Sequence, residues 1–288
     1  MTNRLRYVLL PKKIKIRWSY DDFLYYRMQE MDQESIDSLL TPIELINIER
    51  KLNRDDFRYI FNSKKEFYNH FSRFIRRDIL NATDYTLDEF MGFAEKYKRI
   101  IIKPDNMYAG IGIYVLELSG KSFHVISSGA RDDTEVSAEN TASYHMLKDG
   151  YESTKAVYDF CKMNNYCIEE YIEGHRVYSK VSPSSLNTIR VTTYLSDDKK
   201  PSIIFAANQF GYKGCIVDNN DNSCIWGLID LETGAVTDVD IDTATGNIYE
   251  KHPDSGQDIV GFKNYNFEAV KKLALEAALV IPECRLIG

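Results

Sequence analysis

The chain has 288 residues, with 36 lysines and arginines against 43 aspartates and glutamates, which gives a formal net charge of −7 at pH 7. This length suits one large domain or two modest ones and is enough to bury a substantial core. Hydrophobic residues make up 44% of the chain and charged residues 27%, a composition that excludes collagen, coiled-coil and disordered proteins.

The sequence contains no candidate membrane span and no secretory signal. No uninterrupted apolar run approaches the ~20 residues of a transmembrane helix, and the first twenty residues offer only the short apolar stretch 7–10. The five cysteines are an odd number and include no Cys-x-x-Cys pair, which is typical of reduced thiols. We therefore expect a cytoplasmic protein.

Positive charge is concentrated at the N-terminus, where residues 1–17 carry six basic side chains and no acid. Such a cluster can make peripheral contact with an anionic membrane surface, but a solvated arm is the favoured interpretation. No nucleic-acid partner is expected, because the chain is acidic overall and contains no recognised nucleic-acid-binding motif.

The first part of the chain has apolar residues at helical spacing, and we predict a helix-rich region over residues 1–98. A helical pattern runs from about residue 20 to residue 56, and further helices are predicted over about 64–75 and 86–97. The expected helix starts are Thr41 followed by Pro42, and Asn62 or Ser63.

From residue 99 the pattern changes to short strands separated by turn residues, with helices between some of them. The strands are predicted to form a largely antiparallel sheet, so the fold class is α+β. Strands are predicted at 99–103, 113–118, 122–127, 167–171, 177–181, 188–195, 202–208 and 225–231, and helices at 138–147, 154–164 and 267–280.

Lys103 is the first candidate for chemistry. It ends the β-branched run 99–103 and is followed by a loop that contains Gly110 and Gly112. A lysine at this place can reach the oxygens of a polyphosphate, while glycines allow backbone N–H groups to approach the same anion. The alternative is a strand-end lysine beside an ordinary hairpin, and this segment alone favours that alternative.

The second candidate is the acidic stretch of Glu169, Glu170, Tyr171 and Ile172. Two acids at the end of a strand, followed by an aromatic and an aliphatic residue, suit a purine-binding hinge. Backbone groups there can read the edge of adenine, and a carboxylate can bind ribose hydroxyls. The alternative is an exposed edge strand for Glu169 or Glu170, and this stretch alone favours that alternative.

The third candidate is the segment 182–190, in which small hydroxyl residues and Asn187 precede a strand that contains Arg190. Arg190 alternates with aliphatic neighbours and should point to the opposite face of the strand. Its guanidinium suits bidentate binding of a phosphate or carboxylate, with a surface ion pair as the alternative. The Asn- and Asp-rich stretch 217–222 can offer oxygens to a cation, although a loop is favoured.

Taken in order, these segments resemble the sugar-transfer-associated ATP-grasp family, which is linked to bacterial surface-polysaccharide assembly such as capsule formation. The resemblance runs from about residue 60 to the end of the chain. Its most specific part is Pro-Ser-Ser-Leu-Asn-Thr-Ile-Arg at 183–190. Further matching pieces are Ile-Lys-Pro at 102–104, Glu-Glu-Tyr-Ile at 169–172, Val-Asp-Asn at 217–219 and His-Pro-Asp-Ser-Gly at 252–256.

The resemblance implies an ATP-grasp fold in which the helix-rich region is followed, over residues 99–288, by two α+β lobes that clamp ATP. Lys103 would contact the α- and β-phosphates, and the loop of Gly110 and Gly112 would be a lid. Residues 169–172 would be the adenine hinge. Arg190 and Asn187 would face the γ-phosphate or an acyl phosphate. Lys64, with Lys65 as the alternative, would be the earlier nucleotide-binding lysine of such enzymes.

The resemblance also implies ATP and Mg²⁺ as cofactors. The family's Mg²⁺ ligands belong to a Trp-Asp strand and a Glu-x-Asn pair that would follow the last residues of this chain, so no metal ligand is assigned. We therefore expect a form shortened at its C-terminus or a degenerate member, either of which would bind nucleotide with little turnover.

The implied function is an ATP- and Mg²⁺-dependent carboxylate–amine or carboxylate–thiol ligase that works through an acyl phosphate. Its partners would be a small-molecule or sugar carboxylate and an amine donor, in polysaccharide modification. The alternative is a catalytically inactive, nucleotide-binding accessory protein of polysaccharide assembly. A protein kinase is disfavoured because the sequence has neither His-Arg-Asp nor Asp-Phe-Gly.

Overall fold

A computed structural model describes residues 17–107, 110–128, 151–216, 218, 224–240 and 247–288. The basic segment 1–16 and the helix expected over 138–147 lie outside the described residues. None of the helices in the described part of the chain combines the length and apolar character that crossing a bilayer requires.

Short helices form the first part of the described chain, and side-chain caps define where several of them begin. Thr41 accepts a hydrogen bond from the backbone of Glu44 and receives the reciprocal contact of a capping box. Ser63 caps the helix that follows it, so both predicted helix starts are confirmed. The helices are α1 Tyr20–Tyr25, α2 Gln33–Ser38, α3 Pro42–Leu52, α4 Arg58–Asn62, α5 Lys64–Phe71 and α6 Leu87–Tyr97.

The first lobe is a six-stranded antiparallel sheet. Its strands are β1 Ile79–Leu80, β2 Arg99–Pro104, β3 Tyr114–Ser119, β4 Ser122–Ser128, β5 Tyr151–Ser153 and β6 Tyr166–Glu170. They lie in the order β1-β6-β2-β3-β4-β5. Helices α6 and α7 (Thr154–Met163) contribute Phe90, Phe93 and Phe160 to the core beneath the sheet.

The second lobe is a five-stranded antiparallel sheet. Its strands are β7 Thr188–Leu195, β8 Pro201–Gly211, β9 Cys224–Ile229, β10 Val236–Val239 and β11 Leu286–Ile287. They lie in the order β10-β9-β8-β7-β11. The core of this lobe contains Phe210, Ile225 and Phe267, the last of which begins helix α9 (Phe267–Ala277). Helices packed on two antiparallel sheets confirm the α+β class.

One predicted strand is wrong. Residues 177–181 contain a short helix, α8 (Arg176–Ser179), instead of a strand. Val177, Tyr178 and Val181 all contact the core of the second lobe, and their spacing of one and four residues is helical. A strand would have sent Val177 and Tyr178 to opposite faces. Strand β10 was not predicted, because its middle residues are polar and exposed.

The first lobe uses chain from both sides of residue 98, where the sequence predicts a domain boundary. Strand β1 pairs with β6, and Tyr85, Phe90 and Phe93 belong to the same core as β2 and β6. The boundary stays a prediction, and the chain before it completes the sheet that carries Lys103.

Candidate functional site

A cleft of about 600 Å³ lies between the two sheets, a volume in the range of small-molecule sites. The first lobe contributes Arg77, Lys103 and Glu169, and the connection between the lobes contributes residues 170–174. The second lobe contributes the loop 183–186, Thr188 and Asp218.

The alternation of strand β2 places Lys103 in the cleft. Ile100 and Ile102 are fully buried in the core of the first lobe, so Ile101 and Lys103 face the other side of the sheet, where both line the cleft. The Lys103 ammonium lies 2.8 Å from a carboxylate oxygen of Glu169 on the neighbouring strand β6. The structure therefore brings these two predicted site residues together.

Glu169 is 1% exposed, although it lines the cleft. Its Oε2 lies 2.8 Å from Lys103 Nζ and 2.7 Å from Arg77 Nε, and its Oε1 accepts a hydrogen bond from the Tyr68 hydroxyl. Burial by itself would raise the pKa of Glu169, but the charges of Lys103 and Arg77 outweigh it and hold the pKa below its usual value. Glu169 is thus a buried carboxylate shared by two cations.

Arg77 is a site residue that sequence reasoning missed. It lies in the run Arg76-Arg77-Asp78, which is typical of a solvated surface, and it stands two residues before the short strand β1. Because β1 pairs with β6, Arg77 is delivered to the end of the strand that carries Glu169. Its position just before a strand of the same sheet is the one signal that could have found it.

In the connection between the lobes, backbone N–H and C=O groups are left without backbone hydrogen-bond partners in the described chain. After β6 ends at Glu170, no backbone hydrogen bond within the described part of the chain involves residues 171–173. Glu170 is fixed by reciprocal contacts with Asp78, whose N–H donates to its carboxylate. The Tyr171 ring is held by the Arg99 guanidinium, 5.1 Å from its centroid. Residues 170–172 line the cleft, and their role as an adenine hinge stays a prediction.

Lys64 does not line the cleft. Its ammonium donates hydrogen bonds to the carbonyls of Pro104, Asp105 and Met107, at 2.7, 3.3 and 2.8 Å. Burial lowers the pKa of Lys64. Its nucleotide contact stays a prediction, and in this structure it supports the segment that follows Lys103. The alternative, Lys65, pairs with Asp84 and does not line the cleft either.

Gly110 and Gly112 both have left-handed backbones, with φ of 76° and 73°. Most other residue types are strained in this region, so glycine is favoured at both positions. Gly110 lines the cleft and Gly112 does not. Residues 108 and 109 of the expected lid lie outside the described residues.

The model of the sugar-transfer associated ATP-grasp family matches residues 67–288 of this chain. The chain belongs to this family. The family also gives the fold: the two lobes are those of an ATP-grasp protein, as predicted. No curated protein matches the chain.

Among solved structures, the ATP-grasp chain is similar to D-alanyl-alanine synthetase A from Vibrio cholerae O1 biovar eltor str. N16961. The sequence identity is 12% and the TM-score 0.35. The match covers 77% of this chain and 47% of that protein, so this chain spans about half the length of that relative.

Asn187, predicted to face a phosphate, turns away from the cleft of this ATP-grasp chain. It is 9% exposed and has a left-handed backbone with φ of 59°. Its amide nitrogen donates to the carbonyls of Ser182 and Ser185, at 2.8 and 3.0 Å. Its oxygen accepts a hydrogen bond of 2.8 Å from the Ser185 hydroxyl. The side chain thus closes the loop 183–186, whose other side lines the cleft.

This loop is anchored to Gly211 at the end of strand β8. The Gly211 carbonyl accepts hydrogen bonds from the Ser182 hydroxyl and from Nε2 of His252, and the Gly211 N–H donates to the Ser185 hydroxyl. His252 is fully buried, and burial lowers its pKa. Segments 183–190 and 252–256, both parts of the family resemblance, are therefore joined in one hydrogen-bond network.

Arg190 is exposed and points away from the core side of β7, where Ile189 and Val191 pack, as predicted. Its guanidinium lies 5.8 Å from the centroid of the Trp226 ring. Arg190 does not line the cleft, but Thr188, two residues earlier on the same face of the strand, does. Arg190 therefore extends the cleft wall outward along β7.

Asp218 is a carboxylate of the second lobe that lines the cleft. Burial raises its pKa, although a hydrogen bond from the Thr188 N–H opposes the shift. In the described ranges no group of three or more His, Cys, Asp or Glu side chains could hold a metal. Mg²⁺ is commonly held by one or two carboxylates together with substrate phosphates, and Asp218 fits that pattern. The rest of the predicted cation loop lies outside the described residues.

Proposed function

We propose that this chain binds ATP in the cleft and acts as an ATP- and Mg²⁺-dependent carboxylate–amine or carboxylate–thiol ligase. The observation that carries the proposal is the pair of cations, Lys103 and Arg77, in the same cleft as the open backbone of residues 171–173. One part of the cleft suits a polyphosphate and the other suits a purine.

The purine part of the proposal rests on residues 170–174. A backbone carbonyl and N–H without partners in the described chain can read the edge of an adenine ring. Ile101, Ile172 and Leu186 supply apolar contacts to the cleft. Burying a flat aromatic ring between aliphatic side chains is favourable, while the backbone groups give specificity.

The phosphate part rests on charge. The Lys103 and Arg77 side chains are 19% and 26% exposed, so both reach the cleft from a partly desolvated position. Charge-assisted hydrogen bonds from such groups to phosphate oxygens are stronger than neutral ones. Asp218 would hold Mg²⁺, which when bound neutralises charge on the phosphates.

The proposed reaction has two steps. An oxygen of the substrate carboxylate forms a bond to the γ-phosphorus, and the bond to the ADP oxygen breaks. An amine or thiol then attacks the acyl carbon, phosphate leaves, and the nucleophile loses a proton. Arg190, on the wall beyond Thr188, would stabilise charge on the transferred phosphoryl group. The sugar-transfer association of the family supports a sugar carboxylate and an amine donor as substrates in polysaccharide modification.

Calorimetric titration with ATP and ADP tests the binding half of the proposal. We expect the parent to bind both nucleotides and Lys103→Ala to bind them at least tenfold more weakly. Lys155→Ala is the matched control, because Lys155 is an exposed lysine of the same lobe that pairs with Asp159. Equal binding by Lys103→Ala and the parent, or no binding by the parent at millimolar nucleotide, would refute this half.

Phosphate release tests the ligase half. We expect slow release that depends on Mg²⁺ and increases when a sugar carboxylate and an amine are added together. Nucleotide binding without any such release, over a panel of uronic acids and amines, would refute the ligase half and leave the nucleotide-binding accessory role.

A further inference from the structure

Glu169 has an arrangement that simple charge neutralisation does not require. Its two carboxylate oxygens have different partners: Oε2 serves both Lys103 and Arg77, and Oε1 serves the Tyr68 hydroxyl. Glu169 is 1% exposed and Tyr68 is 8% exposed, so solvent hardly reaches the carboxylate from either side.

The two cations come from segments on opposite sides of β6 in the sheet, because β6 pairs with β1 on one side and with β2 on the other. Lys103 belongs to β2, whereas Arg77 belongs to the segment before β1. Two like charges close together repel each other, and long basic side chains lose conformational entropy when they are held in one place. A single carboxylate oxygen within 2.8 Å of both offsets the repulsion and fixes the two groups side by side.

Tyr68 fixes the carboxylate in turn. It is a residue of helix α5, and its hydroxyl occupies the oxygen that the cations do not use. Both oxygens of the carboxylate are therefore held by side chains, one by the cations and the other by the Tyr68 hydroxyl. In this way the helical region of the chain is connected to the phosphate part of the cleft.

We propose that Glu169 is a positioning residue that pre-organises Lys103 and Arg77 into one two-cation site for adjacent phosphoryl groups, and that Tyr68 holds Glu169 in the required orientation. The inference rests on the proposed function and specifies it further: the site selects a pyrophosphate linkage. A nucleoside diphosphate or triphosphate is bound through this pair, whereas a nucleoside without phosphate does not use it.

The alternative role for Glu169, a mere counter-ion, has the opposite consequence. Lys103, Arg77 and Glu169 together carry one net positive charge, and removal of the carboxylate charge leaves two. If charge alone mattered, Glu169→Gln would bind a polyphosphate more tightly. If the carboxylate positions the cations, Glu169→Gln binds it more weakly despite the higher positive charge.

The experiment is a calorimetric titration of ADP and of adenosine into the parent, Glu169→Gln and Tyr68→Phe. Asp159→Asn is the matched control, because Asp159 is an exposed carboxylate in an ion pair of the same lobe. We expect Glu169→Gln to lose at least tenfold in ADP affinity and Tyr68→Phe about threefold. Both should bind adenosine within twofold of the parent, and the control should match the parent for both ligands.

The outcomes distinguish a failure of the proposed function from a failure of the positioning role of Glu169. No ADP binding by the parent overturns the proposed function and this inference with it. ADP binding by the parent, with equal or tighter binding by Glu169→Gln, overturns the inference alone, as does an equal loss of ADP and adenosine affinity. If Glu169→Gln does not fold, Tyr68→Phe decides: a loss confined to ADP supports positioning, and unchanged ADP affinity refutes it.

Discussion

Replacing Asn187 by alanine should destabilise the second lobe, because the Asn187 side chain closes the loop 183–186 from inside the protein. The substitution removes three hydrogen bonds of 2.8 to 3.0 Å, two to buried carbonyls and one from the Ser185 hydroxyl. A typical intramolecular hydrogen bond contributes about 1 kcal/mol net, so this loss amounts to about 3 kcal/mol. Alanine also tolerates the left-handed backbone poorly, at a further cost of about 1 kcal/mol.

The total of about 4 kcal/mol is large compared with the usual effect of a single substitution. For a protein of this size it corresponds to a Tm lower by about 10 °C. Urea unfolding followed by circular dichroism measures the difference. Asn187→Gly is the matched variant: it loses the same hydrogen bonds but accepts the backbone angle of 59°, so it should be about 1 kcal/mol more stable than Asn187→Ala.

The result separates two roles for Asn187. If Asn187→Ala unfolds within about 1 kcal/mol of the parent and yet loses nucleotide-dependent activity, the side chain acts on the substrate, as the family resemblance implies. The reasoning from the inward hydrogen bonds would then be refuted. A loss of stability with the expected difference between alanine and glycine would identify Asn187 as a residue that shapes the cleft wall.

Three further outcomes are expected. Burial lowers the pKa of His252, so the unfolded chain takes up protons first, and the free energy of unfolding should fall as the pH drops below about 6.5. His252→Gln should flatten this slope, and an unchanged slope would contradict the effect of burial. Thr86→Ala removes the capping box of α6 and should cost about 1 kcal/mol in thermal unfolding, whereas an unchanged Tm would contradict the role of the cap. Arg190→Lys keeps the charge but loses the guanidinium fork, so kcat for phosphate release should fall roughly a hundredfold with little change in nucleotide affinity. Unaltered turnover would show that Arg190 serves only in its contact with the Trp226 ring.

Local pattern predicted the elements that carry the cleft. The β-branched run before Lys103 and the strand predicted at 167–171, which carries Glu169, are properties of short segments of the sequence, because successive side chains of a strand point to opposite faces. The caps at Thr41 and Ser63 are equally local, since a hydroxyl needs only the backbone three residues ahead. For the same reason Arg190 could be assigned to the face opposite its aliphatic neighbours.

The sequence could not predict which distant side chains would share a partner. Arg77 reaches Glu169 across 92 positions of the chain, and only the pairing of β1 with β6 brings them together. Lys64 and Asn187 are the opposite case. Each is a polar residue of a suitable type near the cleft, but backbone carbonyls accept their hydrogen bonds. A buried carbonyl without a donor is costly, and which carbonyls are buried depends on tertiary packing.

The short helix α8 also shows the difference between what local sequence determines and what tertiary packing decides. The sequence by itself shows three apolar or aromatic residues, Val177, Tyr178 and Val181, in the run 177–181, but five residues fit a strand or a helical turn almost equally well. The core of the second lobe decided the matter, because only the helical turn lets all three side chains reach it. Local periodicity thus determined the strands and faces of this protein, whereas long-range pairing and burial decided which charges meet in the cleft.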